Sequence, residues 1–325
     1  MGKLRIDSID FLKGLAIIGV ITLHSFRNYG VFEVLVMQSV PVFLILMGLN
    51  GALSLDRCGF NVPDYIRTRF LRLGLPLIPV FFVILALALL FNQPLYMLGA
   101  ESLSPALILL GQMPINGPGN YFIGLIIQAT ILIPILWWLS KKDVRLMLGI
   151  SFAVSLGYEI AYYFYLPHDS FIYELLIFRW LFAIAIGIAL VDAVLTKKIS
   201  FTWLAGISVS TGLVLFFGYS HLAVLPFGYS LINACTYLFP AGIIVAVIFA
   251  GVSWKPIDLL GKASYHIFLI QMIFFIGLSL GYLMNLGIII AVGMAFYFVD
   301  SRVQIMLKNR SAEIKKIDNS NPSRL

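Results

Sequence analysis

In this chain of 325 residues, 61% are hydrophobic and only 11% charged, against about 25% charged in soluble globular domains. A mean hydropathy of +0.98 excludes a water-soluble enzyme, and the apolar stretches are too long for the alternating ten-residue strands of a membrane barrel. The net charge of +7 is spread over loops between apolar runs, which points to contact with membrane lipids and not with nucleic acid.

Hydropathy marks ten spans, near 11–28, 32–54, 73–91, 121–139, 145–165, 172–193, 202–220, 229–250, 264–282 and 285–301. The expected fold is all-α, a polytopic integral membrane helix bundle of about ten transmembrane helices. Residues 1–301 form one membrane domain, and 302–325 a short, basic, mobile cytoplasmic tail. The first apolar run reads as an uncleaved span: Asp7, Asp10 and Lys13 interrupt its approach and no small-residue cleavage site follows it. Lys and Arg accumulate in cytoplasmic loops. With both termini cytoplasmic, nineteen of the 22 basic residues fall on that side. Lys13 and Arg179 lie within spans, and only Arg27 lies near the outer face. The expected location is the cell membrane, plasma or inner, as a multi-pass protein. Cys58 and Cys235 fall at different depths, so neither a disulfide nor a metal site is expected.

The first span is the most informative. At 100° per residue, Asp10 lies about 60° and His24 about 20° from Lys13, with Lys13 and His24 roughly 16 Å apart along the axis. Ionisable groups are costly in lipid, so this single stripe is a candidate catalytic site. Asp10 and Lys13, three positions apart, form either a functional pair or an interfacial anchor whose Lys13 reaches the headgroups. His24 is either a general base or a neutral imidazole bridging helices.

In the second span Gln38, Ser39 and Asn50 suit interhelical hydrogen bonds. Arg67, Arg69 and Arg72 enter the third span ahead of Pro76 and Pro79, with Arg69 and Arg72 sharing a face. Three guanidiniums suit a polyanion bound bidentately, or else anchorage against anionic lipid heads. Ser102–Met113 is too short to cross a core about 30 Å thick. Counting it as a span would invert every later loop, so 92–120 reads as an outer-face loop, either covering a substrate site or lying on the surface. Arg179 with Glu174 suits an ion pair or a cavity lining, and Glu159 is similar. His168 and His221 belong to outer loops. No internal repeat relates the two halves, which weighs against a secondary transporter.

Taken together, these residues resemble the acyltransferase-3 family of membrane-bound acyltransferases over nearly the whole chain. Arg5, Asp10, Lys13, Gly14 and His24 match its opening pattern, in which a histidine follows the basic position by eleven residues. Pro41 to Leu49 resembles its second helix, Arg69 and Arg72 its Arg-x-x-Arg, Asn120-Tyr121-Phe122 an aromatic helix start, and Leu260 to Gln271 its late block. The resemblance implies transfer of an acyl group, usually acetyl, from cytoplasmic acetyl-CoA or another acyl-CoA. The acceptor is a hydroxyl of a cell-envelope or exopolysaccharide glycan or its lipid-linked precursor. On this resemblance His24, Lys13 and Asp10 are the catalytic group, and Arg69, Arg72 and Arg67 bind the donor, with Lys13 also meeting its phosphates. A second copy of the chain or proteins of polysaccharide synthesis are the expected protein partners. Three departures stand out: Lys13 in place of arginine, Met47 in place of serine, and Gln271 where histidine is common. The competing readings are a transporter of a small anionic or sugar-like solute and an inactive scaffold for polysaccharide synthesis.

Overall fold

The computed structural model describes residues 6–25, 36–90, 113, 119–165, 171–220, 236–274 and 282–320. No strand occurs among them. The helices are α1 (Asp7–Ser25), α2 (Ser39–Arg57), α3 (Val62–Leu90), α4 (Tyr121–Lys142), α5 (Val144–Tyr165), a short α6 (Phe171–Leu175), α7 (Leu181–Thr196), α8 (Phe201–Ser220), α9 (Leu238–Phe249), α10 (Lys255–Phe274) and α11 (Tyr282–Ser320). A 3₁₀ turn, Ile177–Trp180, joins α6 to α7.

Helix occupies part of each of the ten apolar stretches, and seven of the described helices are long and apolar enough to cross a membrane. Helix α1 carries Asp7, Asp10 and Lys13, while the apolar stretches of α8 and α9 are shorter. Two boundaries differ from expectation. Helix α3 begins at Val62, eleven residues before the apolar run, so its arginines lie inside the helix. Helix α11 runs on to Ser320, where a mobile tail was expected. Its 39 residues extend about 58 Å, nearly twice a bilayer core. Apart from Met113, Gly119 and Asn120, the 92–120 loop lies outside the described residues, as do Arg27, His168, His221 and Cys235.

Local chemistry sets several helix starts. The Asn61 carboxamide oxygen accepts from the Asp64 backbone N–H (3.2 Å) while its own amide donates to the Asp64 carboxylate (2.7 Å). This reciprocal pair opens α3. Asp143 caps α5 by accepting from the Arg145 and Leu146 backbone N–H groups. Outward faces carry large apolar side chains, among them Phe82, Leu90, Leu215 and Val299. A surface of that composition suits lipid.

Small residues set how closely the helices approach. A methyl group on Gly261 of α10 would collide with the Asp10 carbonyl of α1, and one on Gly14 with the Ile257 carbonyl. Gly48 of α2 and Gly187 of α7 meet the Ile184 and Ile45 carbonyls in the same way. Because backbone atoms cannot swing aside as a side chain can, Gly261→Ala is expected to cost about 1–3 kcal/mol. Gly287→Ala, where nothing lies within 4 Å, is expected to be neutral or slightly stabilising through helix propensity. Thermal unfolding of the two variants in detergent checks the contrast; equal melting temperatures would contradict it.

Candidate active site

Helices α1, α2, α3, α4, α10 and α11 enclose a cavity of about 850 Å³, within the 300–1,000 Å³ usual for small-ligand sites. The α1–α10 glycine contacts bring those two helices close together beside it. Asp10, Lys13, His24, Arg69 and Arg72 all line this one space. Residues from separate helices that were linked only by the resemblance are thus brought together in three dimensions.

One end is basic. Lys13 pairs with Asp10 at 3.7 Å, and Arg57, Lys262, Arg69 and Arg72 share the lining. The Arg69 guanidinium lies over the Tyr65 ring, 5.3 Å from its centroid. Tyr65 is only 3% exposed, and its hydroxyl has no hydrogen-bond partner among the described residues. A phenol left so beside a guanidinium offers a donor to an anion. Arg67 stands apart: Arg67 and Arg72 are both exposed, but Arg67 does not line the cavity. At 100° per residue it lies about 160° from Arg69 and about 140° from Arg72 around α3.

The other end is aromatic. His24 is half-buried there beside Gly119 and Phe268. Gly119 has φ +84°, and a Cβ on it would sit 3.0 Å from the Phe268 ring and 4.0 Å from His24 Nε2. Both the left-handed backbone and the close approach call for glycine. Phe122 packs edge-on against Phe43 (5.9 Å) and Phe268 (5.3 Å). Between the two ends the wall is mostly apolar, with Ile17, Val20, Leu46 and Met47. Met47 therefore fills the place of the missing serine hydroxyl with a thioether facing the cavity. Gln271 is fully buried, outside this lining, and among the described residues both of its amide atoms lack partners.

Sequence reasoning missed a third feature. His266 Nε2 and Asp300 Oδ2 are 2.9 Å apart, and Gln304 Nε2 donates to the same oxygen at 2.6 Å. All three residues line the cavity. The available signal was Asp300 itself, a carboxylate at the close of an apolar run, where ionisable groups are rare.

The interhelical roles also change. Arg179 pairs with Glu159 of α5 at 3.2 Å, the place expected for Glu174, and its guanidinium lies over the Tyr173 and Trp180 rings. The Tyr173 hydroxyl donates to Glu159 at 2.5 Å. Asn50 bonds within its own helix, to the Leu46 carbonyl at 2.8 Å. Among the described residues no group of three His, Cys, Asp or Glu side chains could hold a metal ion.

A cavity with fixed cations at one end and an imidazole at the other suits a polyanionic carrier whose reactive group lies some distance from its charges. Comparison with known families agrees with that chemistry. The family model described as "Acyltransferase domain", of the acyltransferase-3 type, matches residues 6–299. No curated protein and no solved structure matches the chain.

Proposed function

We propose a reaction for a chain that belongs to the acyltransferase-3 family and is a multi-pass membrane acyltransferase. It moves an acyl group, acetyl in the simplest case, from cytoplasmic acyl-CoA to a hydroxyl of a cell-envelope or exopolysaccharide glycan or its lipid-linked precursor. The membrane is the plasma or inner membrane, with the basic end of the cavity facing the cytoplasm, where acyl-CoA is found. The observation that carries this reading is the placing of Lys13, Arg69, Arg72 and His24 on one cavity wall system.

Arg69, Arg72 and Lys13 hold the phosphates of the donor. Guanidiniums match phosphate oxygens bidentately, and Lys13 adds a point charge steadied by Asp10. The thioester arm follows the apolar wall to His24. There the imidazole takes the proton of the acceptor hydroxyl as its oxygen attacks the thioester carbonyl. The tetrahedral intermediate collapses with cleavage of the C–S bond, and the thiolate leaves with the proton returned by His24. The acceptor enters from the end lined by Gly119 and Phe122. The full chain, purified in detergent, is expected to bind CoA and to release it as free thiol from acetyl-CoA when a glycan acceptor is present. A protein that moves solute across vesicles without releasing thiol would support the transporter reading instead.

A further inference from the structure

We infer that Asp300 is a contact for the amide- and hydroxyl-bearing arm of the donor, at the inner edge of the cations proposed to hold its phosphates. The inference rests on the acyl-CoA reading above and adds a binding role for a residue outside the stripe and the arginines.

Three contacts set the depth of Asp300 along the cavity. Gly261 of α10 abuts the Asp10 carbonyl of α1, which puts Lys13 near the level of Gly261. The Tyr265 hydroxyl donates to the Leu73 carbonyl at 2.9 Å, which brings the backbone beside Arg72 level with Tyr265 and His266. Gly119 lies between Phe268 and His24, marking the far end. Asp300, joined to His266, therefore lies level with the backbone beside Arg72 and about one helical turn beyond Lys13 on the way to His24. A carrier with phosphates at the cations and a thioester at His24 must pass it.

The carboxylate is held for such a contact. It is 6% exposed. A carboxylate only accepts, so His266 Nε2 carries the hydrogen of their bond. The bonds from His266 and Gln304 both fall on Oδ2, and Oδ1 makes no hydrogen bond among the described residues. Asp300 lines the cavity, so this oxygen can accept from a donor group of a bound ligand. The pantetheine arm of CoA supplies the matching chemistry, with two amide N–H groups and a hydroxyl on an otherwise apolar chain.

Two probes separate this contact from the phosphate site: CoA and adenosine 3′,5′-bisphosphate, which keeps nucleotide phosphates but lacks the arm. In Asp300→Asn the side-chain carbonyl must turn to the two donors, leaving an NH₂ group in the place of Oδ1. CoA affinity is expected to fall about tenfold or more, with the bisphosphate not weakened. Arg69→Ala is expected to weaken both. Gln304→Met, which loosens the carboxylate without removing it, serves as a second variant and is expected to weaken CoA alone by about two- to fivefold. Gel filtration and retained bisphosphate binding report that the variants are folded. Equal losses for both probes, or no loss in either folded variant, would overturn the assignment while leaving the acyl-CoA reading intact. Failure of the unmodified chain to bind CoA would overturn both.

Discussion

His24→Ala is expected to lower acyl transfer by about 10²–10⁴-fold and to leave CoA affinity within about threefold of the unmodified chain. The rate loss is the range for removing a positioned general base. The unchanged affinity follows from distance, because eleven helical residues put His24 roughly 16 Å from Lys13 along α1, away from the cations that hold the phosphates. The measurement pairs titration calorimetry with CoA against thiol release from acetyl-CoA in the presence of acceptor. A variant that still transfers at more than about a tenth of the original rate would remove His24 from the chemistry. One that loses CoA binding with the rate would make it a structural residue.

Arg69→Ala and Arg72→Ala behave in the opposite sense. Each is expected to weaken CoA by about 10–100-fold, since a hydrogen bond to a charged group contributes roughly 1.5–3 kcal/mol. Thiol release at saturating donor is expected to fall much less. Lys restores only part of the affinity at either position, because an ammonium lacks the planar fork. Arg67→Ala is the internal comparison. It lies on another side of α3 and does not line the cavity, so CoA affinity is expected to change by less than about twofold. Raised salt weakens the exposed part of the attraction and narrows the gap between variants and the unmodified chain. Loss of affinity in Arg67→Ala equal to that in Arg69→Ala would mean that a general positive field, and not a built site, attracts the donor.

These experiments also bear on the departures from the family pattern. Lys13 keeps the charge of the commoner arginine and is paired with Asp10, so the cation is present where the donor phosphates are proposed to lie. Met47 lines the cavity in an apolar stretch, where a thioether suits the proposed thioester arm without needing a partner. Gln271 does not line the cavity, so its lack of an imidazole leaves the proposed proton transfer at His24 untouched. An inactive scaffold predicts CoA binding without turnover in the unmodified chain, which the thiol-release measurement detects directly.

Much of this protein was legible in its residues alone, because the relevant physics is local. Long apolar runs can only be helices in lipid, and the 3.6-residue period places Asp10, Lys13 and His24 on one stripe whatever surrounds them. The order of motifs carried the family. Tertiary structure decided what depends on helices meeting at particular depths. It chose Arg69 and Arg72 over Arg67 for the cavity, paired Arg179 with Glu159 on α5, and joined His266 to Asp300 across 34 positions. Such pairs follow from crossing points set by backbone-to-backbone contacts at Gly14, Gly261, Gly48 and Gly187. No periodicity within a single helix encodes which partner a neighbouring helix will present there.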